Sequence, residues 1–299
     1  MTLQLFLRQC QQWETERNLV AGLQACDDLL AGGARGRLRA AALRYKAVFL
    51  LMSNEAESGD AIGFIKEALD SARSHPGDRA TLLSLLVGAY AVFGSCEFAH
   101  RHAMEFFSLS STHAIPEVLK WTPKVWFNLG YCYDAAGDFA RAADAYERAR
   151  DTADLAQGTF NPGVAEHNLV QMYLELGRVD DAWSSLAKAM SHLDFNGLED
   201  YLKDQQAQCL LASGRAEEAE AACREALALG HSERVKPEAQ FTLARAMLAQ
   251  EMDEEALSTA EQALDQAISL PNPRLIHKIG GFLRTLRTRK EVPQKHDGT

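Results

Sequence analysis

Along residues 126–149, WFNLGYCYDAAGDFARAADAYERA, large apolar residues recur at Trp126, Leu129 and Tyr133. After a Gly-Asp break, Ala142, Tyr146 and Ala149 keep a similar spacing. Steps of three and four place such residues on one face of a helix, so the stretch predicts two amphipathic helices joined by a tight turn. Gly137 sits where the first helix must end in a backbone conformation that favours glycine.

The pattern returns downstream. One small column is Ala142, Ala182, Ala219 and Ala256, spaced 40, 37 and 37 residues; a second, Ala149, Ala189, Ala226 and Ala263, keeps those spacings. The turn column is Gly137, Gly177 and Gly214, with Glu251 in fourth place. Upstream run an apolar column (Leu129, Leu169, Gln206, Leu243), a small one (Gly130, Val170, Ala207, Ala244) and a large one (Tyr133, Tyr173, Leu210, Met247). Six columns in one register, broken only at Gln206 and Glu251, mark an internal repeat. Small residues on facing surfaces let the paired helices approach, and large ones fill the rest. A single hairpin cannot cover its apolar face, so the units must stack.

These residues resemble the tetratricopeptide repeat. Trp126, Leu129, Gly130, Tyr133, Gly137, Ala142, Tyr146 and Ala149 match its Trp-x-x-Leu-Gly-x-x-Tyr…Gly…Ala…aromatic…Ala pattern. Later units match in part, through Leu169, Tyr173, Gly177, Ala182, Leu186 and Ala189, then Leu210, Gly214, Ala219 and Ala226. The family unit has about 34 residues; here the units run to 37–43, with the excess in DLAQGTFNPG and SHLDFNGLED. Either the second helix of the unit or the linker must be longer.

Tyr90, Gly94, Ala99 and Phe106 extend the register backwards by 43 residues; 37–73 reads as a blurred hairpin interrupted near NEAESGD, and 3–31 as two further helices. After Pro271-Asn272-Pro273 a last helix, about 274–288, closes the other end. No period-two strand pattern occurs. The expected fold is all-α: a right-handed α-solenoid of about seven antiparallel hairpins plus a C-terminal capping helix, built as one domain over 1–299. Within it, 1–78 form degenerate hairpins, 79–270 recognisable repeats, 271–290 the cap, and 291–299 a disordered tail.

Composition narrows the functional classes. A net charge of −10 opposes a general affinity for nucleic acid or anionic membranes. The local exception is the run Arg274, Lys278, Arg284, Arg287, Arg289 and Lys290, which holds no acidic residue. Its plainer role is to cap a helix with cations at its own C-terminal end. The first residues lack the basic and apolar regions of a secretory signal, and LLSLLVGAYAVF is too short for a membrane span, so a cytoplasmic location is expected. Cys10, Cys26, Cys96, Cys132, Cys209 and Cys223 form no C-x-x-C pair and read as buried reduced thiols, with redox sensing by one of them as the alternative.

No catalytic constellation is evident. His100 and His102 lie two apart and diverge on a helix, and no zinc spacing, phosphate loop or nucleophile elbow occurs. Acidic pairs such as Asp180-Asp181 and Glu217-Glu218 suit the start of a helix. The reading is of a non-enzymatic protein that needs no metal or cofactor.

The resemblance implies a concave surface lined by the first helix of each unit, which in the family holds peptides or partner segments. The register places Lys124, Phe127, Asn128 and Tyr131 there. Val164, His167, Asn168 and Gln171 follow, then Tyr201, Asp204, Gln205 and Gln208, then Glu238, Phe241, Thr242 and Arg245. Asn128, Asn168 and Gln205 form an amide ladder whose donors and acceptors could follow a peptide backbone. Phe127, Tyr131, Tyr201 and Phe241 could form pockets for its side chains. Lys124 and Arg245 are opposed by Asp204 and Glu238, which suits a neutral or basic peptide better than a carboxylate clamp. The expected function is a scaffold that binds a protein or peptide segment. The alternative is a sensor of signal peptides, like the bacterial regulators with elongated repeats but without a DNA-binding domain. Nucleic-acid binding through the basic helix ranks third. Oligomeric state is left open.

Overall fold

The computed structural model describes every residue except 54–57, 110–114, 157, 193–197, 231, 271–272 and 292–299. The tail expected to be disordered therefore lies outside the described residues. So do most of the NEAESGD interruption and half of the SHLDFNGLED stretch. Among the described residues the secondary structure is helical throughout, with no strand.

Among these residues fifteen α-helices follow one another as seven hairpins and a cap. The first are α1 (Leu3–Thr15) with α2 (Leu19–Ala31), α3 (Gly36–Ser53) with α4 (Ser58–Ser71), and α5 (Pro76–Val92) with α6 (Cys96–Ser108). Next come α7 (Pro116–Ala135) with α8 (Phe139–Asp151) and α9 (Pro162–Glu175) with α10 (Val179–His192). Last are α11 (Glu199–Ala212) with α12 (Ala216–Leu229), α13 (Val235–Ala249) with α14 (Asp253–Ile268), and the capping helix α15 (Pro273–Glu291). The all-α repeat solenoid read from the columns is the fold. The chain falls into two compact units, 1–165 and 166–299. Within each, odd helices pack on their even partners, as α7 does on α8 and α11 on α12. They also pack on the next odd helix, as α5 does on α7 and α11 on α13.

One turn closes the hairpins. Gly137, Gly177 and Gly214 have φ of 76°, 70° and 75°, and Glu251, the exception in that column, adopts φ 63° all the same. In each case the next residue's N–H reaches a carbonyl five positions back: Asp138 to Tyr133 (2.9 Å), Arg178 to Tyr173 (2.8 Å), Arg215 to Leu210 (3.0 Å) and Met252 to Met247 (3.0 Å). This is the bond that satisfies the orphan carbonyls at a helix end through one left-handed residue. The large column thus ends each odd helix as well as filling its core.

The small columns lie where the two helices of a hairpin meet. Ala142, Ala182, Ala219 and Ala256 are fully buried, and Tyr146 fills the space over Gly130, where a β-carbon would lie 2.7 Å from its ring. The extra residues after α8 do not lengthen that helix. They form a 3-10 turn at Ala153–Ala156 whose two alanines are buried.

Candidate protein-binding faces

In the first unit the face of α7 is set by its seating on α5. The two helices meet in a register of 40 residues. Glu117 lies over Gly77, Trp121 Nε1 donates to Thr81 Oγ1 at 3.1 Å, and Asn128 lies over Gly88. The Asn128 amide therefore turns back onto the preceding odd helix. Its Nδ2 is shut from solvent without an acceptor. Phe127 is half-buried, its ring 5.3 Å from that of Tyr146 and 5.8 Å from that of Phe160. Lys124 stays exposed, and the ammonium groups of Lys120 and Lys124 flank the Trp121 ring at 5.0 and 5.7 Å from its centroid. Tyr131 is 47% exposed, so of the two aromatic residues that the register selects on α7 it is the one open to solvent.

In the second unit the corresponding positions are mostly occupied by one another. Gln205 is 7% exposed, and its Nε2 donates to the His167 carbonyl at 2.8 Å. Like Asn128, it reaches back to the preceding odd helix. A rung expected to face a ligand backbone is bonded to the protein's own backbone instead. Asn168 is half-buried and engaged by neighbouring groups. The His167 imidazole packs edge-on against Tyr201 at 5.9 Å, and burial pushes its pKa down. The Tyr201 hydroxyl accepts a long 3.4 Å bond from Ser232. Phe241 packs edge-on against Phe282 of α15, while Arg245 extends over it and remains exposed.

A charged network links the odd helices here. Gln171 Nε2 donates to Glu175 Oε1 at 3.0 Å, and Gln208 Nε2 to Asp204 Oδ2 at 2.7 Å. From the cap, Lys278 pairs with Glu175 and Arg274 approaches the same oxygen at 3.5 Å. Burial raises the Asp204 carboxyl to about 6, against the hydrogen bond from Gln208 and the charge of Arg245. Burial and the neighbouring Asp204 raise Glu238 to about 7, against Lys278 and Arg274. Glu175 moves the other way: burial disfavours its charge, but the bond and charge of Lys278 prevail and hold it low. The basic run at the C-terminal end is thus partly spent on internal pairs, since Arg287 also meets Glu261 at 2.8 Å. The share of Glu175 in this network leaves no local signal in the sequence, because its partner lies 103 residues away.

The tetratricopeptide repeat family model matches residues 123–153, which take in α7 from Pro123 onward and all of α8. The α7–α8 hairpin is thus similar to a tetratricopeptide repeat, and the chain repeats that hairpin. Solved structures share its fold at low identity. A tetratricopeptide repeat protein from Parabacteroides merdae is 13% identical, with a TM-score of 0.60 over 95% of this chain and 98% of that one. A chain of the APC/C hetero-tetramer Cut9-Hcn1 is 15% identical, with a TM-score of 0.58 over 98% of this chain; the repeat protein spans about half of that chain, 51%. The assembly chaperone of RpL4, Acl4, is 17% identical, with a TM-score of 0.52 over 83% of this chain and 96% of that one. No curated protein matches the repeat protein by sequence. Among the described residues no group of His, Cys, Asp and Glu could hold a metal ion, and no helix is long and apolar enough to cross a membrane.

Proposed function

We propose that this repeat protein is a non-enzymatic scaffold that holds a segment of a partner protein against the exposed face of α7. The observation that carries the reading is the contrast on that helix. Asn128 and Phe127 are drawn into packing, while Tyr131 stands 47% exposed and Lys124 is exposed with it. A half-exposed tyrosine offers apolar area and a hydroxyl at low ordering cost, and the exposed ammonium group of Lys124 on the same helix adds a charge. The second unit is described by itself: there Gln171, Asn168, Gln205 and Gln208 are already engaged, and Arg245 keeps an exposed charge over the Phe241 ring. Structural likeness to a chain of a multi-protein assembly and to an assembly chaperone supports a binding role rather than a chemical one.

Affinity capture with the full chain, followed by titration of the purified captured protein, tests the reading. Tyr131→Ala combined with Lys124→Ala should weaken the measured affinity at least tenfold with the fold retained by circular dichroism. A captured partner that binds the double variant as tightly as the parent would place its site elsewhere.

A further inference from the structure

The C-terminal cations close a ring of helices in the second unit. There α9, α11 and α13 lie side by side, tied by the bond from Gln205 to the His167 carbonyl and by the packing of α11 on α13. Helix α15 comes next in this row, with Phe282 against Phe241. Yet Lys278 of α15 pairs with Glu175 of α9, and Arg274 lies 3.5 Å from the same oxygen. A row whose first and last members meet is bent, and the side chains that close it line its inner side. Gln171 lies there too, bonded to Glu175. Gln208 follows Gln171 by 37 residues in the same column and donates to Asp204 Oδ2, which places Asp204 beside the same face.

The cations satisfy this face only in part. Asp204 is 3% exposed, and its Oδ1 is shut from solvent with no hydrogen-bond partner. A buried carboxylate oxygen without a donor is a costly group, and a cation relieves that cost. Arg274 and Lys278 are spent on Glu175 instead. Their side chains stay 36% and 38% exposed, against 21% for Glu175. Ion pairs this open to solvent hold weakly, so an external cation can take the place of one at little net cost.

We propose that Arg274 and Lys278 are built-in occupants of a cation-binding site on α9 and α11, and that an arginine- or lysine-bearing segment of a partner protein displaces them to pair with Glu175 and Asp204. Charge selects this occupant, because an acidic segment would meet two carboxylates here. A segment with several cations does what the two fixed cations of α15 do not, by reaching the open oxygen of Asp204 as well. The site lies within the second unit and is independent of what binds the exposed face of α7.

The test titrates a fluorescein-labelled hexa-arginine amide against the folded full-length protein by anisotropy at fixed salt, with the folding of each variant checked by circular dichroism. Arg274→Gln combined with Lys278→Gln empties the site and should bind the peptide about tenfold more tightly than the parent. Arg284→Gln with Arg289→Gln removes the same charge from exposed positions of α15 and should change the affinity by less than about threefold. Adding Glu175→Gln and Asp204→Asn to the first variant should return it to the parental affinity. Should the first variant unfold, Lys278→Gln alone reads the same competition, with a gain of about threefold. The proposal is overturned if the charge-matched control gains as much, if the carboxylate variants keep the gain, or if the emptied site binds no more tightly than the parent.

Discussion

Gly88 provides the seat of the Asn128 side chain: a β-carbon at position 88 would lie 3.0 Å from Asn128 Nδ2. Alanine in a helix interior is favoured over glycine by about 1 kcal/mol, but at this site the amide must move aside. Gly88→Ala alone should therefore change stability by less than about 0.5 kcal/mol, and in an Asn128→Ala background it should gain the full ~1 kcal/mol. Urea unfolding of the four proteins closes the cycle. Equal effects of Gly88→Ala in both backgrounds would show that the two positions do not meet.

Gly130 is the opposite case, because its neighbour cannot yield. The Tyr146 ring is fully buried and would meet a new β-carbon at 2.7 Å through two ring atoms. Gly130→Ala should cost about 1–3 kcal/mol as overpacking, despite the gain in helix propensity. Tyr146→Phe should be neutral or stabilise by up to about 1 kcal/mol, because the hydroxyl is buried without a partner. Thermal unfolding of both variants checks the pair; a stabilised Gly130→Ala would contradict the close approach.

Glu251 carries the turn at φ 63° that glycine carries in the three preceding hairpins. A left-handed non-glycine residue costs about 1 kcal/mol or more. Glu251→Gly should raise Tm, with a net gain of about 0.5–1 kcal/mol after the extra entropy of an unfolded glycine. The matching Gly177→Ala should lower it by a similar amount. If Glu251→Gly lowers Tm, the glutamate side chain supplies more than its backbone strain costs.

Much of this architecture was legible because it repeats. The columns of Ala142, Gly137 and Tyr133 marked the hairpins, the turns and their number, and even the odd residue Glu251 kept its place. What the columns could not show is which way a half-polar residue leans. Asn128, Asn168 and Gln205 share a register, which suggested a ligand ladder. In space Asn128 and Gln205 lean back onto the preceding odd helix, Asn128 over Gly88 and Gln205 onto the His167 carbonyl. Period 3.6 gives a face to within about one residue, and that margin separates a groove from a helix contact. Links between repeats were invisible for another reason: Glu175 of α9 and Lys278 of α15 meet across 103 residues of sequence, beyond the reach of any local pattern.

The second unit should lose stability as pH rises through neutrality. The unfolded reference values for Asp204 and Glu238 are 3.8 and 4.5, and the folded values are about 6 and about 7. Between these limits the folded state binds more protons than the unfolded, so stability falls with rising pH from about 4 to about 7. At about 1.4 kcal/mol per unit, each group accounts for at most about 3 kcal/mol, and less together because each charge disfavours the other. Glu175 acts in a separate window. Its depressed pKa gives stability above about 4.5 that is lost only as pH falls below that. Asp204→Asn removes one buried charge, keeps an acceptor for Gln208, and relieves Glu238. Its Tm should exceed the parent's at pH 8, and the difference should shrink to nothing by pH 4. Glu238→Gln should show the same trend, and the double variant less than the sum. A parent Tm that rises steadily from pH 5 to pH 8, or a gain from Asp204→Asn that persists unchanged at pH 4, would remove the buried carboxylates as the cause.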